Sequence, residues 1–435
     1  MTEKKVAFGF GDSTISLSLP QEKIIYEIEG APAPAITDIP AAVLEALRNP
    51  VGTAPLKEIV TKTDSVVIIV SDITRGWIKS YEFLPTLLNE LNGAGVPDSQ
   101  ISIVIAQGTH RPHTPEEDLA VCGQEVCNRI KIYQHDCRNE AELVYKGTTK
   151  RGTPVYFNKR VAEADKVILT GGIVFHLMGG FGGGRKSVMP GISGDKTIQA
   201  NHCLALHPEI GFGSNPECLS GKLVENPVHE DMAEVTSMLN PAFLLNAVFT
   251  PEGKFARFLA GHWLKAWQEG CQTVNQIYGI PIEEQADLVI ASAGGFPKDI
   301  NLYQGSKTID NAFMATKPGG VIICFLECRD IYEPEEFSGW FRFDDTLTFE
   351  KAVRDHFTIP GFIAFKLADI AKKNTVILVT KPENEAFIKK TGMIFAATGD
   401  EALRLAKEKL GRDDYTITCM THGANTAPML TSKNN

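Results

Sequence analysis

The sequence predicts an α/β fold of two domains. Three observations carry this. Short, continuous Val/Ile runs end at Gly or Asp, as strands buried on both faces of a parallel sheet do. Amphipathic stretches separate those runs. The chain has 435 residues, which is long for one ordinary core. With 43% hydrophobic and 22% charged residues, the composition is that of a globular protein.

Taken in order, the strand-like runs are DSVVIIVSD (64–72), ISIVIAQG (101–108), DKVILTGG (165–172), DLVIASAGG (287–295), GVIICFLE (320–327) and TVILVTK (375–381). Helix-like stretches lie between them. YEFLPTLLNELNGAG stops at glycine, and EALRLAKEKLG does the same. A further helix is expected in HWLKAWQEGCQTVNQIYG (262–279), before a new strand–glycine pattern begins near Asp287. This sets an N-terminal α/β domain at 1–275 and a C-terminal one at 276–410, with an active-site cleft between them. The tail, 411–435, can return to the first domain. No internal repeat or low-complexity tract is present.

The net charge of −10 argues against a general nucleic-acid binder. It leaves room for a local basic pocket that takes a small anion. The N-terminal MTEKKVAFGFGDSTISLSLP has no apolar run of the kind a secretory signal needs. No stretch approaches the roughly 20 apolar residues that span a bilayer. The nine cysteines are scattered without a CxxC pair, which reads as reduced thiols. The expected compartment is the cytoplasm, with neither membrane nor nucleic acid as partner.

The most unusual segment is FHLMGGFGGGRKSVMPGISGDKTIQANH, from Phe175 to His202. Its glycines, including Gly182, Gly183 and Gly184, precede Arg185, Lys186 and Ser187. Glycines let backbone N–H groups approach an anion, and Arg and Lys add charge, so the loop reads as a phosphate cradle. It is not a Walker A loop, because Arg185 stands where glycine must precede the lysine. A generic glycine turn with a solvated lysine is the plainer alternative.

Histidines 176 and 202 bracket the loop. His110, in AQGTHRPHT, follows the second strand. Functional groups of open α/β sheets gather at carboxyl strand ends, where His110 and His176 both fall. His113, His207, His229 and His262 read as ordinary structural residues. After the first buried run, SDITRGW places Asp72 and Arg75, with Asp72 expected to orient an arginine fork for a carboxylate. In the second half, GGFPKDINLYQGSK sets Tyr303, Gln304 and Lys307 within one helical turn. No CxxC, HExxH, GxSxG or well-placed GxGxxG occurs, so the ordinary zinc, serine-hydrolase and nicotinamide readings lack their signatures.

The combination of DxTR, GTHRP, H-x9-K around a glycine-rich loop, a later NH, and NxYQxxK resembles the catalytic subunit of the lactate racemase family. The resemblance runs over nearly the whole chain in order and spacing. It implies a 2-hydroxy-acid racemase or epimerase, an isomerase that inverts C2 by reversible hydride transfer. The implied cofactor is the nickel-pincer nucleotide, a nickel complex of pyridinium-3-thioamide-5-thiocarboxylic acid mononucleotide. Lys186 matches the lysine that carries it, and His202 matches the nickel ligand. The glycine-rich loop would hold its phosphate. His110 and His176 match the acid and base on the substrate hydroxyl, and Arg75 and Lys307 the groups that bind the carboxylate. Asp72, Tyr303 and Gln304 match supporting positions. The implied partners are a small 2-hydroxy acid and the accessory enzymes that make the cofactor.

Two positions depart from the pattern. Glycines stand in MGGFGGGRK where relatives carry Ala and Ser. Phe362 stands where the lactate enzymes have a tryptophan near the substrate, which leaves lactate itself open as the substrate. Two other readings remain: a nucleotide-dependent phosphotransferase using the glycine-rich loop, and a hydroxy-acid-binding protein without cofactor.

Overall fold

In the computed structural model, which describes residues 2–431, the chain forms two compact units. One holds Pro32–Ala205 and Glu217–Ile277; the other holds the chain up to Ala31, Leu206–Pro216 and everything from Tyr278 onward.

The first unit is built on a six-stranded sheet in the order Phe255–Gly261, Phe243–Phe249, Lys166–Gly172, Val66–Ser71, Ile101–Ala106, Lys131–Gln134. All neighbours run parallel except the antiparallel pair Phe243–Phe249 and Phe255–Gly261. Val66 to Val70 are all buried, as a strand covered on both faces requires. From Val66–Ser71 the chain adds strands to one side, then returns with Lys166–Gly172 on the other. That reversal makes the carboxyl ends of these two strands a switch point, where α/β sheets place ligands.

The second unit repeats the architecture with six parallel strands ordered Ile394–Ala396, Thr375–Val379, Thr316–Phe325, Ala286–Ser292, Ile417–Met420, Ile24–Ile28. Here the structure departs from the expected boundaries. The first strands of the chain belong with its last ones. Ile24–Ile28 pairs with Ile417–Met420, and Phe8, fully buried on the hairpin Glu3–Phe10/Ser13–Pro20, stacks on Phe325 at 5.1 Å between centroids. The tail therefore completes the second sheet rather than returning to the first. Leu206–Pro216 also belongs here: the Gly211 amide donates to Glu350 at 3.0 Å and the Ser214 hydroxyl to Asp369 at 2.6 Å. Among the described residues, no helix is long and apolar enough to cross a membrane.

Candidate active site

The turn after Val66–Ser71 carries Asp72 and Arg75. Asp72 is buried, and both its oxygens are engaged. Oδ2 lies 2.6 Å from His110 Nδ1, and Oδ1 accepts from the Thr74 hydroxyl at 2.7 Å. Burial alone would raise the pKa of this carboxyl. The bonds from His110 and Thr74 and the charge of Arg75 outweigh it and hold the group below its ordinary value. The ionised carboxylate accepts Nδ1–H, which leaves Nε2 of the exposed His110 as the ring's proton-accepting atom. Asp72 thus orients His110. The expected fork between Asp72 and Arg75 is not formed, because the Arg75 guanidinium donates instead to Thr74 Oγ1 at 3.1 Å.

The strand Lys166–Gly172 leads into the short pair Phe175–His176 and Gly180–Phe181. His176 Nδ1 accepts the Gly179 amide at 3.1 Å, and its Nε2 lies 3.1 Å from Lys186 Nζ. A backbone N–H can only donate, so Nδ1 holds a lone pair. The neutral ring must then carry its proton on Nε2 and donate it to the lysine. An ammonium cannot accept, so the geometry calls for a neutral amine. The electrostatics agree: burial, with the charges of Arg185 and Arg75, pushes Lys186 down to about 7. Burial also lowers His176, with Lys186, His202 and Arg75 adding to it. His202, buried in the helix Asp195–Cys203, is pushed down to about 3 by burial and by Lys186. Its neighbour Asn201 donates to the buried Asp231 carboxylate at 2.9 Å, tying this helix to Pro227–Leu239. Lys186 thus bears on both His176 and His202, and Arg75 on His176 and Lys186.

Two amides of the glycine-rich loop are engaged inside the protein. Gly182 N–H donates to Val174 O at 2.7 Å and Gly184 N–H to Asn246 Oδ1 at 2.7 Å. Arg185 is fully buried, donates to the carbonyls of Phe181 and Gly179, and lies 4.0 Å over the Trp267 ring. The Ser187 hydroxyl donates to Thr170 O at 3.0 Å. Gly183 and Gly184 have φ of +67° and +52°, and a Cβ would meet Asn246 Oδ1 at 2.8 Å and Trp267 Cδ1 at 2.5 Å respectively. Their glycines serve a left-handed turn wrapped on Trp267, whose Nε1–H donates to Gly182 O at 2.9 Å. Of residues 182–187, it is Lys186 that meets the histidine centre. The sequence reading missed Trp267 and Asn246. Both lie far along the chain in ordinary apolar patterns that give no local signal.

In the second unit, Asn301 caps the helix Leu302–Met314 by accepting from Gln304 N, and this puts Tyr303, Gln304 and Lys307 in its first turns at the carboxyl end of Ala286–Ser292. Gln304 and Lys307 are exposed, and Lys307 Nζ donates to Gln304 Oε1 at 3.3 Å. Tyr303 packs edge-on to Phe337. Phe362 is a core residue, 1% exposed and stacked on Phe357, so the expected pocket aromatic is not offered at that position.

Among the described residues no three His, Cys, Asp or Glu side chains converge on a metal position. A resident metal would need ligands brought by another group. The donor set fits such a group: a neutral amine able to form a covalent link, and a neutral buried imidazole suited to a borderline metal.

The fold and this centre define an α/β protein with a histidine–lysine site at a sheet switch point. Comparison with known proteins gives the family. The lactate racemase N-terminal domain matches residues 10–213, and the lactate racemase C-terminal domain matches 282–426. The chain is 34% identical over 411 residues to a lactate racemase from Thermoanaerobacterium thermosaccharolyticum, covering 93% of this chain and 94% of the relative. It is 34% identical over 375 residues to one from Lactiplantibacillus plantarum, covering 85% and 86%. The solved lactate racemase apoprotein from T. thermosaccharolyticum superposes with a TM-score of 0.87 at 33% identity, covering 98% of this chain and all of that one. The chain belongs to the lactate racemase family.

Proposed function

We propose that this protein is a racemase or epimerase that inverts C2 of a 2-hydroxy acid. The observation that carries the reading is the Nε2–Nζ contact between His176 and Lys186, which requires a neutral lysine amine at the centre of the site. Such an amine is the form that can be joined to a cofactor. We assign Lys186 as the attachment point of a nickel-pincer nucleotide and His202 as the protein's nickel ligand. When bound, that group supplies a hydride acceptor for C2.

The chain's own residues do the rest. Arg75 binds the substrate carboxylate. His110, held as the Nδ1–H tautomer by Asp72, takes the hydroxyl proton on Nε2. His176 is assigned to the opposite enantiomer: the Gly179 amide keeps its proton on Nε2, so once Lys186 is engaged elsewhere it can donate that proton to the substrate oxygen as hydride returns to C2. Inversion needs a proton-transfer group for each enantiomer, and an imidazole can serve as acid or base.

The test uses protein produced beside the cofactor-synthesis enzymes and a panel of 2-hydroxy acids deuterated at C2. Inversion with the deuterium retained in ordinary water is expected. Rapid exchange of C2 with solvent would sink the hydride assignment. Two further readouts stand apart from turnover. The Lys186 peptide should gain the cofactor's mass, and His202→Ala should lose nickel while that peptide is still modified.

A further inference from the structure

The sequence HRPH holds two histidines three residues apart, and only His110 has a part in the reaction proposed above. His113 has a different setting. Its side chain is wholly buried, where that of His110 is 45% exposed. Its Nε2 accepts the backbone N–H of Ile73 at 2.7 Å, and its Nδ1 lies 2.9 Å from Asp118 Oδ1. The Ile73 amide can only donate, so Nε2 must carry a lone pair and Nδ1 the proton. That proton is donated to the Asp118 carboxylate.

Ile73 is the residue between Asp72 and Thr74, the two groups that orient His110 and hold Arg75. The two Asp–His pairs are therefore interlocked. Asp72, on the turn after Val66–Ser71, holds His110 in the loop 107–114. His113, in the same loop, holds the amide next to Asp72. Gln134 braces the arrangement from the neighbouring strand: its Oε1 accepts from the His113 amide at 3.2 Å and from Gln107 Nε2 at 2.5 Å. Its Nε2 donates to Asp118 at 2.9 Å. Asp118 itself is fixed in the first turn of the helix Pro115–Cys122, which starts in a Thr114/Glu117 capping box.

We propose that His113, fixed in its Nδ1–H tautomer by Asp118, is a positioning residue that clamps the Asp72–Arg75 turn to the His110 loop. A donor at this ring position would face the Ile73 donor, and an apolar side chain would leave a part-buried amide without its acceptor. Either change loosens the turn carrying Arg75 and the Asp72 carboxylate together. The clamp's effect on turnover rests on the roles proposed for Arg75 and His110; the clamp itself does not.

The test begins with protein free of cofactor and labelled with 15N-histidine. The His113 ring should show an unprotonated Nε2 and a protonated Nδ1. A protonated Nε2 overturns the proposal. His113→Phe should speed exchange with water of the hydrogen-bonded His110 Nδ1 proton. In the loaded enzyme it should lower kcat/KM by at least about tenfold. His113→Gln, which can put a carboxamide oxygen where Nε2 stood, should recover most of both. Unchanged His110 exchange in His113→Phe, or equal damage from Phe and Gln, overturns the clamp. If His113→Phe does not fold, the wild-type tautomer and the His113→Gln exchange rate still decide. If no 2-hydroxy acid is turned over, the proposed function fails and the two NMR readouts are untouched.

Discussion

His176 Nε2 lies 3.1 Å from Lys186 Nζ, and the Gly179 amide on the other ring nitrogen fixes the direction of the bond between them. The imidazole donates and the amine accepts. The consequence is measurable as reactivity. In cofactor-free protein, Lys186 should be labelled by a limiting amine-selective acylating reagent with a midpoint near its pKa of about 7. Below that pH the amine is protonated and inert. Labelling should rise as pH climbs through the midpoint, where ordinary lysines wait until about 10.4. Peptide mass spectrometry across pH reads this directly, and a rise only near pH 10 would contradict the neutral amine.

The two carboxylate oxygens of Asp72 are engaged by His110 and Thr74. Asp72→Ala should therefore lower kcat far more than it raises KM, by about a hundredfold, the low end of what general acid–base catalysis contributes. Steady-state kinetics in both directions of racemisation check it. A change confined to KM would return Asp72 to substrate binding.

Arg75→Lys keeps a charge and loses the planar fork. We expect at least about tenfold lower kcat/KM, on the order of 1.4 kcal/mol, carried mainly by KM. An unaltered KM would remove Arg75 from the carboxylate.

Gly184→Ala separates packing from phosphate binding. Its Cβ would stand 2.5 Å from Trp267 Cδ1 at a positive φ. The variant should lose about 1–3 kcal/mol of stability, the usual cost of overpacking, in protein that has never met the cofactor. Denaturant melts of cofactor-free protein measure this. Full stability with weakened cofactor retention would restore the cradle.

The sequence by itself determined the class of fold, because continuous apolar runs such as VVIIV can be satisfied only with a helix layer on each face of the sheet. It also put Asp72, His110 and His176 at strand ends, and picked out Lys186 by its glycine-rich loop and Tyr303 and Lys307 by their spacing in the segment after a strand. What it could not decide was everything set by partners distant along the chain. Phe8 and Ile417 lie at opposite ends of the sequence, yet they share one core. The glycines around Arg185 read as an anion loop, and only the fold showed that the Arg185 guanidinium lies over Trp267, 82 residues further along the chain. Phe362 read as a pocket wall, and the fold stacks it on Phe357 as a buried residue. His110 and His113 are alike in sequence, and only the tertiary structure gave each its own carboxylate, Asp72 to one and Asp118 to the other. Burial and hydrogen-bond direction depend on what stands opposite a side chain, and the order of residues does not contain that.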